Sequence, residues 1–116
     1  RTLFSLDAMK ELAATGCLIE FDLFGQESSY YPFSPIDMPN DAMRIDYLIG
    51  LFDAGYGSQL VIAQDICMKT HLTRYGGESY SHILETVLPM MDRKGLGQDQ
   101  IRTICVENPQ RILAFE

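Results

Sequence analysis

The sequence predicts an α/β protein, the C-terminal portion of a (β/α)8 barrel of the TIM type, and three observations carry that prediction. Helical and strand-like segments alternate along the chain. Leu60-Val61-Ile62-Ala63 is a continuous apolar run, the pattern of a parallel strand buried on both faces. Both strand-like segments end in an aspartate, Asp22 and Asp65, and lead into long loops, as at the mouth of a barrel.

The elements follow in order. From Ser5 to Thr15, Leu6, Met9, Leu12 and Ala13 recur at helical spacing, and Gly16 supplies a left-handed stop. Residues Cys17 to Phe24 are rich in β-formers and bounded by Gly16 and Gly25, which reads as a strand. Gln26 to Met38 shows neither helical nor strand periodicity and is a long loop, in which Tyr30, Tyr31 and Phe33 either pin the loop down or line a pocket. A second helix is expected from Pro39 to Ala54, with Ile45, Leu48, Ile49 and Phe52 on one stripe and Pro39 in its first turn. After the strand Leu60–Ala63, the loop Ile66–Glu78 holds Lys69, His71, Arg74 and the Gly76-Gly77 pair. Tyr80, Ile83, Leu84, Val87, Leu88 and Met91 form the clearest amphipathic pattern, which Pro89 should kink or divide. A short helix from Gln98 to Cys105 precedes Asn108-Pro109, read as an N-cap followed by proline at the first helical position, and a last turn through Phe115.

Composition limits the alternatives. The chain has 116 residues, 47% hydrophobic and without tryptophan, enough for one domain and too apolar for disorder. Nine basic against sixteen acidic residues give a net charge of -7, which argues against a nucleic-acid partner. No apolar run approaches the roughly 20 residues that cross a bilayer, so a soluble protein is expected. Cys17, Cys67 and Cys105 are odd in number and lack CxxC pairing. Reduced, mostly buried thiols in the cytoplasm are the plain expectation. Two parallel strands make a poor sheet with both edges open, so the chain is expected to be part of a larger barrel of about 250 residues or more. That places residues 1–116 in the last third to half of a single barrel domain.

The chemistry should then sit at the carboxyl ends of the strands. Asp65 suits a hard or borderline cation, or the taking of a proton from an activated water, against the plainer roles of a cap or a loop ion pair. A zinc centre needs at least three protein ligands, and His71 and His82 show neither HxH nor HExxH spacing. His71 is expected in a solvated loop, and His82 is expected to be hydrogen-bonded or exposed on its helix. The glycine pair lacks a phosphate-binding pattern.

Asp65-Ile66-Cys67-Met68-Lys69-Thr70-His71-Leu72, with Arg74-Tyr75-Gly76-Gly77 and Tyr80-Ser81-His82-Ile83-Leu84, closely resembles the last strand, loop and helix of the phosphotriesterase family of the amidohydrolase superfamily. Glu107-Asn108-Pro109-Gln110-Arg111-Ile112-Leu113-Ala114-Phe115 and the stretch Gly16–Gly25 are similar too. The resemblance implies a metal-dependent hydrolase with two zinc ions per complete domain, acting on an ester, amide, lactone or phosphotriester bond of a small molecule. It also implies that Asp65 is both metal ligand and proton acceptor, with the remaining ligands on strands outside this chain, so that the 116 residues alone are inactive. Leu23 stands where specialised members carry histidine or arginine, and Phe21-Asp22-Leu23-Phe24-Gly25 looks most like the phosphotriesterase-related branch. Gln64 replaces a histidine that often precedes the metal aspartate, and Glu78-Ser79 replaces His-Gly. A homo-oligomer is admitted. The alternative is a barrel relative that has lost catalysis and serves as a binding or scaffold protein.

Overall fold

The computed structural model describes residues 5–27 and 36–115. Helix α1 (Leu6–Ala13) leads to strand β1 (Ile19–Phe21), and helix α2 (Asp41–Asp53) leads to strand β2 (Leu60–Ile62). Helix α3 (Leu88–Lys94), helix α4 (Gln98–Arg102) and helix α5 (Asn108–Leu113) follow. The strands pair in parallel, with Ile19 opposite Leu60, Glu20 opposite Val61 and Phe21 opposite Ile62. Two further bonds, Ala63 N to Phe21 O at 2.9 Å and Phe24 N to Ala63 O at 3.2 Å, carry the pairing past the strand ends toward the loops.

The local signals explain most boundaries. Ser5 caps α1, and Gly16 adopts a left-handed φ of 85° just beyond its end, as expected. The start of α2 differs from expectation: Asn40, not Pro39, sets it, because the Asn40 side chain accepts the Met43 amide at 2.9 Å. Strand β1 is shorter than the β-rich run, and just beyond it Leu23 leaves the extended conformation at φ 65°. Ile45, Leu48 and Leu51 of α2 are fully buried with Phe24, Leu60, Val87, Met91 and Ile104, and Ile49 and Phe52 pack against the edge of that core. Burying each large aliphatic side chain is worth about 1.5–3 kcal/mol, which makes this face the main source of stability.

Two prolines shape the C-terminal half. Pro89 cannot donate to Glu85 O and its ring crowds that carbonyl, as Pro109 does with Cys105 O. The backbone answers both with a wider π-helical turn, Ile83–Val87 before α3 and Thr103–Glu107 before α5. Leu88 N bonds Ile83 O and Asn108 N bonds Thr103 O, each five residues back. The wider turn also shifts the helix face: Val87 and Met91 are buried, whereas Tyr80 and Leu84 of the expected stripe are 70% and 67% exposed.

Asn108 corrects a sequence expectation. It has helical dihedrals rather than those of an N-cap, so 98–113 is one helical run through α4 and α5. Its buried side chain instead donates to Gly57 O at 2.8 Å and Leu60 O at 2.7 Å, clamping α5 to the start of β2. Asn108→Leu leaves those carbonyls without this donor and is expected to cost about 2–4 kcal/mol, read as a lower urea midpoint. A change below about 0.5 kcal/mol would show that the clamp does not hold the helix.

The cysteines Cys17, Cys67 and Cys105 are all free thiols, but only Cys17 and Cys105 are even partly buried, while Cys67 is exposed. Among the described residues no helix is long and apolar enough to cross a membrane.

Candidate functional site

The carboxyl ends of β1 and β2 bring together the loop Asp22–Glu27, the N-terminus of α2 and the loop that runs from Gln64 to His82. Every non-glycine residue with positive φ among those described belongs to these loops: Leu23 at 65°, Asp65 at 49° and Ser79 at 60°. Such backbone is disfavoured for a residue with a Cβ, and residues that keep it cluster at functional sites.

Asp65 follows β2 as the sequence predicts. Its carboxylate is exposed and makes no hydrogen bond or ion pair among the described residues. Its backbone carbonyl accepts from Gln26 Nε2 at 3.2 Å. Asp22, at the matching end of β1, is half-buried and its Oδ1 accepts the Leu23 amide at 2.7 Å, a local turn bond. Among the described residues Asp65 thus makes neither the cap nor the ion pair weighed for it.

Beneath these ends lies a buried polar network. Asp41, 2% exposed at the first turn of α2, accepts the Gly25 amide at 2.9 and 3.2 Å, Arg44 Nη1 at 2.8 Å and the His82 ring Nε2 at 2.7 Å. Arg44 Nη2 donates to Gln26 O at 3.1 Å, and Glu27 Oε1 accepts the Asp41 amide at 2.6 Å. Burial pulls the Arg44 guanidinium below its usual value, and Asp41, then Glu27 and Asp22, oppose that pull. His82 thus serves as a hydrogen-bonded structural residue. Its Nδ1 lies 3.2 Å from Glu78 Oε2 without the alignment of a hydrogen bond. Gly25 must be glycine here: its φ is +86°, and an added Cβ would stand 2.9 Å from the His82 ring and 3.0 Å from Glu78 Cβ.

The loop after Asp65 is folded back on the strand end. Gln64 Nε2 donates to Ser79 O at 2.6 Å, Ser79 N to His71 O at 2.8 Å and Gly77 N to Leu72 O at 3.2 Å. An added Cβ at Gly77 would lie 2.2 Å from the His71 backbone, so the glycine pair builds this return rather than a phosphate cradle. His71 is half-buried, and its Nδ1 has no partner among the described residues. Lys69 Nζ sits 4.5 Å and the Arg74 guanidinium 5.8 Å from the Tyr75 ring centre, two cations on one aromatic ring. Tyr30, Tyr31 and Phe33 lie outside the described residues.

Among the described residues no three His, Cys, Asp or Glu side chains gather to hold a metal ion. The exposed Asp65 carboxylate, with no bond among the described residues, has the chemistry of a single metal ligand that others would have to complete. Cysteine chemistry fits less well, since burial pushes the Cys105 thiol up and away from the reactive thiolate. A shallow groove of about 430 Å³ lined by Cys105, Val106, Pro109, Gln110, Leu113 and Ala114 lies on α5, apart from these loops.

The family model of the phosphotriesterase family matches residues 1–113. The chain belongs to the phosphotriesterase family. It is 44% identical over 116 residues to an N-acetyltaurine hydrolase of Dictyostelium discoideum, covering 99% of this chain and 31% of that protein. A phosphotriesterase-related protein of Nematostella vectensis is 43% identical over 117 residues, covering 100% of this chain and 33% of its own length. Among solved structures, a resiniferatoxin-binding protein from Rhodobacter sphaeroides superimposes with a TM-score of 0.87 at 31% identity, covering 93% of this chain and 30% of that one. The phosphotriesterase homology protein of Escherichia coli, solved with phosphate in its active site, gives 0.79 at 29% identity over 91% of this chain and 33% of that one. This member of the phosphotriesterase family thus spans about a third of the length of the curated relatives it matches. Hydrolases are named among those relatives, and the fold here is a small α/β unit of two parallel strands, in keeping with part of the family's barrel.

Proposed function

We propose that residues 1–116 form the C-terminal part of a single barrel domain of a zinc-dependent hydrolase, and that its substrate is a small N-acyl amide bearing an anionic group, of the N-acetyltaurine kind. The observation that carries the reading is Asp65: a carboxylate without a partner among the described residues, presented in left-handed backbone at the end of a parallel strand. A pair of zinc ions, when bound by Asp65 together with ligands from other strands, would supply Lewis-acid activation of the scissile carbonyl and a more acidic water. Asp65 holds its share of that site and takes the proton that the attacking water loses. The buried network keeps both loops fixed while this happens, and other bonds of the same electrophilic kind, esters, lactones or phosphotriesters, would be handled by the same groups. The three free cysteines are in keeping with a reducing, cytoplasmic setting.

The substrate class rests on charge. N-Acetyltaurine is an amide with a sulfonate, and the loop after Asp65 carries Lys69 and Arg74 on the Tyr75 ring, neither paired with a carboxylate among the described residues. Lys69 lies four residues beyond Asp65, so their Cα atoms are at most about 14 Å apart. Lys69→Met and Arg74→Met, made separately in the full-length protein, are each expected to raise KM for N-acetyltaurine about fivefold, with kcat kept. An unchanged KM in both variants would remove these cations from substrate recognition.

The overall reading is tested on the full-length protein by measuring bound metal and the release of acetate from N-acetyltaurine, before and after chelation and with zinc restored. Activity that persists after the metal is stripped would overturn it. A second reading, a binding protein without catalysis, is favoured by the likeness to a relative described as a binding protein. Absence upstream of an HxH pair or of the bridging residue would decide for that reading.

A further inference from the structure

We propose that Gln26 is a positioning residue for Asp65, and that the loop after β1 thereby sets how tightly the complete site holds its metal. The proposal rests on the reading of Asp65 as a metal ligand. A single nitrogen, Gln26 Nε2, donates to two consecutive carbonyls, Gln64 O at 2.7 Å and Asp65 O at 3.2 Å. Successive carbonyls of an extended strand point to opposite sides, so one carboxamide cannot serve both. A residue of helical sense between them turns the two oxygens to one side, and Asp65 at φ 49° has that sense in its left-handed form. The clamp therefore depends on the unusual backbone and in turn braces it.

The clamp also determines where the carboxylate goes. Among the described residues no group holds the Asp65 side chain, so its direction is inherited from the backbone that Gln26 fixes. Gln26 is in turn held: its amide donates to Leu23 O at 2.9 Å, and its carbonyl accepts from Arg44, which the buried Asp41 fixes. A continuous line of bonds thus runs from the core of α2 to the exposed carboxylate. Groups that orient a metal ligand without touching the metal usually change its affinity by 10- to 100-fold.

The test uses the full-length protein and zinc, with affinity read by competition against a chromophoric chelator. Gln26→Met matches the side-chain length but has no donor, and Gln26→Glu keeps the shape while turning the donor into an acceptor. Both are expected to weaken zinc binding 10- to 100-fold. The urea midpoint of the zinc-free protein falls less than in Asn108→Leu, because the carbonyls that lose their donor here are only partly buried. In an Asp65→Asn background, Gln26→Met should weaken zinc binding no further. If Asp65→Asn alone leaves zinc affinity unchanged, the metal-ligand reading falls. If Asp65→Asn weakens zinc but neither Gln26 variant does, or if Gln26→Met acts equally with and without Asp65, the positioning role falls and the ligand reading stands.

Discussion

Asp65→Asn in the full-length protein is expected to lower kcat/KM for N-acetyltaurine by about 1,000-fold and to release bound zinc, while leaving the zinc-free fold intact. The size follows from what the substitution removes. An amide keeps the shape of the carboxylate but neither its charge nor its capacity to accept a proton, and a loss of about 4 kcal/mol of transition-state stabilisation corresponds to about three decades in rate. The intact fold follows from the site: the carboxylate is exposed and bonded to nothing in the described protein, so its loss should change unfolding by no more than about 0.5 kcal/mol. Metal analysis, steady-state kinetics and a urea titration of one preparation read all three. Unchanged turnover with retained metal would remove Asp65 from the mechanism.

The largest effect on stability is expected at Asp41. Asp41→Ala strands the buried Arg44 guanidinium, leaves the Gly25 amide without its acceptor and frees the His82 ring. Breaking one side of a buried ion pair typically costs about 3–5 kcal/mol, because the remaining charge has no counter-charge. Arg44 also stacks over the Phe24 ring at 5.7 Å, so its displacement disturbs the core as well as the loop. Removing both charges, Asp41→Leu with Arg44→Met, should recover part of the loss, since an apolar pair needs no compensation. A single variant that loses less than about 1 kcal/mol by urea unfolding would show the network to be dispensable.

What the sequence reveals depends on the distance over which each residue acts. The helices and strands rest on neighbours three or four residues apart, and their order was legible, as was the place of Asp65 after an apolar strand. The resemblance carried by Asp65–Leu72 and Glu107–Phe115 agrees with the family match. The network was not legible, because Asp41 meets His82 across 41 positions and Gln26 meets Asp65 across 39. His82 was expected to be hydrogen-bonded or exposed, and only the fold names its partner. Asn108 departs from expectation for the same reason: Asn before Pro has the local look of a cap, while its bonds reach back 51 and 48 residues. The one missed signal within reach was Asn40, a cap residue beside the more conspicuous Pro39.

The distribution of left-handed backbone has a consequence for how this chain would respond to selection. Among the described residues the strain is avoided with glycine at five places, Gly16, Gly25, Gly55, Gly76 and Gly95, and at three it is kept by residues with a Cβ, Leu23, Asp65 and Ser79. Each exception forgoes about 1 kcal/mol that glycine would restore. A screen for thermal tolerance alone should therefore drift toward glycine at these three positions, and at Asp65 the most heat-resistant descendants would be the ones that no longer turn over substrate.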